Sequence, residues 1–233
     1  MTNELPPDTV RYHGWLESLS PEERQSVLSR MKRTVLEEGH VLHRIGDAPD
    51  GLYGVLGGAV SYQVAPTERG PQLIHTFTAG TWTGEAELFD GRPRLGTART
   101  LCRTSCLHLS RQSIDELAES GVPIWQAIGV LLASHLELSL CALEDLTIRP
   151  PDQRVAAILL RMAGARLADI PDNPVPRLQV TQADIASLGN MSRTTVSRKL
   201  GDFESRGLIR TSYGAITLTD CTGLRATLQD SDR

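Results

Sequence analysis

Between Thr181 and Arg210 apolar residues recur at helical spacing in two short runs, separated by Gly189-Asn190. Ile185 and Leu188 give the first run its inner side. Val196, Leu200 and Phe203, at steps of four and three, do the same for the second. Thr181 with Asp184 three residues on predicts a capped start for the first helix. Ser192 caps the second, which runs to Arg206 and stops at Gly207. Gly189 and Asn190 are the residue types that most readily take positive φ, so the chain should turn there. Beyond it, Leu208-Ile209, a Tyr213-Gly214 turn and Ala215 to Leu218 predict a returning hairpin, and Asp220 caps a last helix ending near Leu228.

Upstream, Ile124 to Arg149 reads as one long helix with two apolar stripes. One runs through Ile124, Ile128, Leu131, Leu138 and Ala142, with His135 interrupting it. The other runs through Leu132, Leu136, Leu143 and Leu146. One stripe is expected to pack on the helix's own domain and the other to meet the same helix of a second subunit, with charges at Leu131 and Leu138 as the disrupting changes. Arg149-Pro150-Pro151-Asp152 ends it, a further helix spans Gln153 to Leu167, and Ile170 to Pro176 is a proline-rich loop.

The first half has a different rhythm. After a helix capped at Ser20-Pro21-Glu22-Glu23, short apolar stretches at Val41-Leu42, Leu52 to Leu56, Ala59 to Tyr62 and Leu73 to Phe77 alternate with glycine turns. Such spacing suggests a barrel or jelly roll. The expected fold is therefore α+β: an N-terminal β jelly-roll domain over 1–123, a dimerisation helix over 124–149, and a C-terminal winged helix-turn-helix domain over 150–233.

Composition narrows the function classes. Hydrophobic residues make up 40% of the chain, enough for packed cores. Residues 1–151 carry 13 Lys/Arg against 19 Asp/Glu, and residues 152–233 carry 11 against 9, so the weakly basic half is the one with the helix-turn-helix. MTNELPPDTV lacks the charged start and apolar core of a secretory signal, and no apolar run reaches the ~18 residues of a spanning helix. A cytoplasmic protein with reduced Cys102, Cys106, Cys141 and Cys221 is expected. Cys102 and Cys106, four apart in a region that reads as strand, would share a face, but no second ligand pair stands beside them for a metal. No Gly-x-Ser-x-Gly, Walker loop or dinucleotide fingerprint supports catalysis.

The order of these parts resembles the cyclic-AMP receptor protein/FNR superfamily of bacterial transcription regulators. The resemblance covers roughly Leu19 to Leu218. It is carried by Gly46-Asp47, Leu52-Tyr53, Gly57-Gly58, Gly84-Glu85-Ala86-Glu87-Leu88-Phe89, Pro93-Arg94 and Ser192-Arg193-x-Thr195-Val196-x-Arg198. It implies a homodimer on a palindromic duplex operator, with RNA polymerase as a partner and no membrane. Thr194, Ser197 and Arg198 fall opposite the apolar back of the second helix, and Arg193 at its edge. With Thr181, Gln182, Ser192 and Lys199 they are the candidate DNA contacts, Lys199 as a phosphate contact. Family members usually carry Glu where this chain has Thr194.

Thr81 to Arg94 sits where the family keeps its phosphate-binding cassette. The resemblance implies that Gly84 allows close backbone approach, Glu85 accepts from a ribose 2′-hydroxyl, and Arg94 meets a cyclic phosphate with a planar fork. The candidate effectors are cAMP and cGMP. Two positions depart from the pattern: Leu95 follows the arginine, and Ser139-Leu140 stands where cyclic-AMP binders keep a Thr-Ser pair. The ligand set is thus Gly84, Glu85, Arg94, Leu95 and Ser139. The competing expectation is that Glu85 and Arg94 form a buried ion pair or loop staple in a domain with another ligand or none, in a regulator active without nucleotide. An iron–sulfur sensor would need a cluster of cysteines near the N-terminus, where none lies before Cys102, and His75 is a single haem-ligand candidate without an evident second, so neither chemistry is expected. A ligand-binding β-barrel whose C-terminal helices bind protein is the remaining alternative.

Overall fold

In the computed structural model, which describes residues 14–65, 70–166 and 176–229, the alternating segments of the first half form two antiparallel four-stranded sheets. One joins β1 (Lys32–Leu36), β8 (Thr104–Ser110), β3 (Gly51–Gly57) and β6 (Trp82–Thr83) in that order. The other joins β2 (Val41–His43), β7 (Gly96–Thr100), β4 (Ala59–Val64) and β5 (Gln72–Thr78). Strands β2 to β5 stand where the glycine-punctuated runs predicted them. β1, β6 and β7 lie outside those runs: KRTVL and GTART are largely polar and WT is two residues long, so none shows a period. Alternation divides β8 between two cores. Cys106 joins Val55, Val60, Phe77 and Ala98, which come from both sheets. Leu107 and Leu109 face the other way, onto Leu52, Trp82 and the helices α1 (Pro21–Ser29), α2 (Arg111–Glu119) and α3 (Ile124–Thr147). The capping box of Ser20 and Glu23 forms as expected.

Cys102 does not share a strand face with Cys106. It lies in the bend before β8, and burial pushes the Cys106 thiol up to about 11, leaving it a protonated core residue.

Chain contacts separate two compact units, Met1–Leu136 and Glu137–Arg233, with the dividing point inside α3. That helix is continuous from Ile124 to Thr147, and by length and composition it is apolar enough to cross a membrane, against the expectation from the apolar runs. The reason lies in its two stripes. Ile124, Ile128 and Leu131 are fully buried in the first unit's core, whereas Leu132, Leu136, Leu140, Leu143 and Leu146 are exposed. A helix apolar on two sides has the average composition of a spanning segment, with Glu137 and Glu144 still among its exposed residues.

The second unit packs α4 (Pro151–Met162), α5 (Gln182–Leu188), α6 (Arg193–Ser205) and α7 (Cys221–Gln229) with a three-stranded sheet of order β10 (Ile209–Ser212), β11 (Ala215–Leu218), β9 (Arg177–Gln179). β10 and β11 are the predicted hairpin, and β9 was not legible. α4 opens at Pro151 instead of Gln153, because a proline lacks only an N–H that the first turn leaves unpaired anyway. It stops at Met162, where Gly164 takes φ 71° and the N–H of Ala165 returns to the carbonyl of Leu160. Leu167 and all of the expected loop but Pro176 lie outside the described residues.

Among the described residues, one charged pair is buried in this unit. Arg161 Nε donates to Asp145 Oδ2 at 2.8 Å, and the two side chains are 4% and 1% exposed. Asp145→Ala would leave a buried guanidinium without its nearest counter-charge, so the second unit should lose about 3–5 kcal/mol of stability. Equilibrium denaturation of the full chain measures this, and a loss below about 1 kcal/mol would show that water compensates Arg161.

Candidate functional site

The helix-turn-helix is held from three sides. Thr181 Oγ1 accepts from the N–H of Asp184 at 3.1 Å, while the Asp184 carboxylate accepts from the Thr181 N–H at 2.9 Å, closing the predicted box. Ser192 Oγ accepts from the N–H of Thr195 at 3.1 Å and so caps α6. Val196, Leu200 and Phe203 bury the back of α6 in the core with Ile158, Leu159 and Ile185. Of the two turn residues only Asn190 takes a positive φ, 49°; Gly189 has φ −94°. Gly189 sits in close packing: a Cβ there would meet the ends of two flexible side chains, Met191 Cε at 2.5 Å and Ile158 Cδ1 at 2.9 Å. Arg154, which the sequence pattern did not single out, donates to the carbonyls of Ile148 at 2.7 Å and Gly189 at 2.9 Å, tying the start of α4 to the turn.

This packing leaves Thr181, Gln182, Ser192, Arg193, Thr194, Ser197 and Arg198 exposed. Arg193 and Arg198 have no partner among the described residues, so their guanidinium forks are free. Lys199 is half-buried, with its Nζ 3.9 Å from Asp152 and 4.0 Å from Asp202. The hairpin turn puts Tyr213 fully in solvent, and a Thr211–Glu204 hydrogen bond at 2.7 Å holds the hairpin to α6.

In the β domain the cassette brings Gly84, Glu85 and Arg94 together. Gly84, at φ 96°, is required twice, since a Cβ would also sit 2.9 Å from Arg94 Nη1. Arg94 is 1% exposed, and its fork is fully engaged. Nη1 donates to the Gly84 carbonyl at 2.6 Å and to Glu87 Oε2 at 3.2 Å. Nη2 donates to Asp50 Oδ1 at 2.9 Å and to the Gly51 carbonyl at 2.7 Å. The partner carboxylates are therefore Glu87 and Asp50, and not Glu85 as the ion-pair expectation had it. Glu85 Oε1 instead accepts from His135 Nδ1 at 2.7 Å. Leu95 turns its side chain outward, 55% exposed, while its N–H donates to Glu87 Oε1 at 2.9 Å. Ser139 is exposed on α3 and belongs to the second unit. Asp50, Glu87 and His135 were missed; Glu87 stood within the quoted cassette, yet side-chain direction on one short turn is not a periodic signal.

Comparison with known proteins agrees with both halves. The family model for a cyclic nucleotide-binding domain matches residues 33–120, and that for a Crp-like helix-turn-helix domain matches 153–227. The chain is 28% identical over 211 residues to the cyclic AMP receptor protein of Thermus thermophilus, covering 90% of this chain and 92% of that protein. It is 25% identical over 214 residues to a CRP-like cAMP-activated global transcriptional regulator of Mycobacterium tuberculosis, covering 89% and 92%. Among solved structures, FixK2 from Bradyrhizobium japonicum superposes with a TM-score of 0.68 at 19% identity over 84% of this chain and 96% of that one, which speaks to the fold. The residues of the cassette do not fit a cyclic nucleotide as they stand, because both terminal nitrogens of Arg94 are taken by internal carboxylates and carbonyls.

Charges around Arg94 shift one another. Burial would raise the Asp50 carboxyl, but hydrogen bonds from Tyr53 and Arg94 outweigh it and hold it below its usual value. Burial, and then the Arg94 charge, lowers His43, which the Gly96 carbonyl, Glu87 and Asp50 only partly offset. His108 is lowered first by burial, with Arg94 and Lys32 adding to it against Asp50. Both rings are thus neutral in the folded state at a pH where the unfolded chain, titrating near 6.5, binds protons. The unfolded state then holds more protons, so stability falls as pH drops through that value. Thermal unfolding should show a falling midpoint from about pH 7.5 to about pH 5.5, less steep in His43→Gln. A flat profile would mean the rings titrate alike in both states.

Proposed function

Because the chain belongs to the CRP/FNR superfamily of transcription regulators, we propose that it is a homodimeric, sequence-specific regulator that binds a two-fold operator in duplex DNA. It works in the cytoplasm with RNA polymerase as its protein partner and carries out no catalysis of its own. The observation that carries this reading is the N-terminal half of α6. Two unpaired guanidinium groups, Arg193 and Arg198, stand exposed with Thr194 and Ser197 on a capped helix whose back is buried. Each fork can address guanine O6 and N7 in a major groove, and Thr194 can touch a thymine methyl where family members usually carry Glu. Thr181, Gln182 and Ser192 stand at the two helix starts, where backbone N–H groups suit phosphate. Lys199, paired with Asp152 and Asp202, contributes less than a free lysine would.

The domain plan follows the sequence reading: an effector-sensing β domain over 1–123, a dimerisation helix over 124–149 and a DNA-binding domain over 150–233. The exposed leucines 136, 140, 143 and 146 of α3 support the dimer, since a soluble helix seldom leaves such a row to water. Leu131 is fully buried in its own domain, so the disrupting charges belong at Leu136 and Leu143. The effector is a small molecule acting through the β domain. The resemblance names cAMP or cGMP held by Gly84, Glu85, Arg94, Leu95 and Ser139. The internal pairing of Arg94 favours a second reading, a family member whose DNA binding needs no nucleotide.

Two measurements test this. Leu136→Glu/Leu143→Glu should sediment as a monomer and lose DNA binding, whereas a wild type that is monomeric at micromolar concentration would remove the dimer. Sites selected from a random duplex pool should differ between wild type and Thr194→Glu, and Arg198→Ala should cost roughly 1–3 kcal/mol and relax one base pair. A motif unchanged in both variants would exclude α6 as the reading helix.

A further inference from the structure

Glu87 sits in a single turn of 3-10 helix, Ala86–Leu88, beside the fully buried Leu88. Its side chain is 5% exposed and uses both oxygens: Oε2 faces Arg94 Nη1 at 3.2 Å, and Oε1 accepts from the Leu95 N–H at 2.9 Å. A guanidinium paired with an adjacent backbone N–H is the donor set that a small bound oxyanion requires. Here a carboxylate of the chain fills it. The other guanidinium positions are no more open, with Asp50 and the Gly51 carbonyl on Nη2 and the Gly84 carbonyl on Nη1. Arg94 Nε is buried without a hydrogen-bond partner. The carboxylate of Glu85 is held by His135.

We propose that Glu87 is the resident anion of this pocket, occupying the position that a nucleotide phosphate would take, so that the native chain rejects cyclic nucleotides. The inference rests on reading the β domain as an effector fold of the CRP/FNR type. The physical ground is like-charge exclusion. A phosphodiester brought to Arg94 would meet two carboxylates already there, in a region where charges are poorly screened. Arg94 has no second face to offer, because four of its five N–H groups are committed within the chain. Removing the Glu87 carboxylate leaves a buried cation and a free backbone N–H pointing at one spot, which is an anion site. Glu87 is in this sense the specificity-determining residue: its charge decides whether the pocket accepts a phosphate.

The test is calorimetric titration of the full chain with cAMP and with cGMP at neutral pH, with a melting curve for each variant. The wild type should give no saturable binding up to about 1 mM. Glu87→Ala should bind at least one of the two nucleotides about tenfold tighter or better, and Glu87→Ala/Arg94→Ala should lose that gain. Glu87→Gln keeps the side-chain volume without the charge and should bind at an intermediate level; it decides the matter if the alanine variant fails to fold. Micromolar binding by the wild type that disappears in Arg94→Ala would overturn the proposal. So would folded Glu87→Ala and Glu87→Gln proteins that titrate like the wild type. Salt-dependent retention of the wild type on duplex DNA tests the regulator reading separately. A chain that binds DNA while Glu87→Ala gains nothing defeats only the resident-anion proposal, and the reverse result defeats only the regulator.

Discussion

A guanidinium removed from water needs acceptors on nearly all of its N–H groups, and in the β domain that requirement fixes the geometry of three separate segments. Arg94 draws in Asp50 and Gly51 at the start of β3, Gly84 and Glu87 in the cassette, and through its own backbone the Gly46-Asp47 turn, whose N–H and carbonyl pair with it at 2.9 and 2.8 Å. The close approach of Gly84 follows from the same cluster, since any side chain there would strike the guanidinium. Relatives of this chain are named for cyclic AMP, and the matching part of this chain has its arginine invested in the fold. An arginine saturated by its own protein stabilises a loop, and one left partly unpaired waits for an anion.

The DNA-binding unit solves the opposite problem. Its helix α6 keeps two arginines in water and is held by other means: caps at Thr181 and Ser192, an apolar back of Val196, Leu200 and Phe203, and the Arg154 staple to Gly189. Charge that is used structurally, Arg161 with Asp145, is kept inside, away from the exposed forks of Arg193 and Arg198. The separation has a chemical reason. Only a solvated, unpaired guanidinium can exchange its water for a base edge or phosphate at little cost.

Helix α3 connects these two regimes along the chain. Its buried stripe belongs to the β domain core, and its leucines 132, 136, 140, 143 and 146 lie exposed. The His135–Glu85 bond links that helix to the cassette directly.

Much of this was readable from the chain alone, because the signals were local. Helix periods, the capping pairs Ser20–Glu23 and Thr181–Asp184, the hairpin around Tyr213-Gly214 and the glycine-spaced strands β2 to β5 all depend on residues within a few positions of one another. What only the tertiary structure decided was non-local. Strands β1, β6, β7 and β9 exist because neighbours pair with them, and their own residues carry no period. Gly189 packs closely against Met191 and Ile158 while Asn190 takes the positive φ of the turn. Lys199 meets Asp152 across the fold, and Arg94 meets Asp50 and Glu87 where the pattern offered Glu85. Sequence determines which side of a helix is apolar and where a cation stands along the chain. Which carboxylate reaches that cation depends on backbone segments brought together from 7 to 44 residues away, and only the packed fold sets that distance.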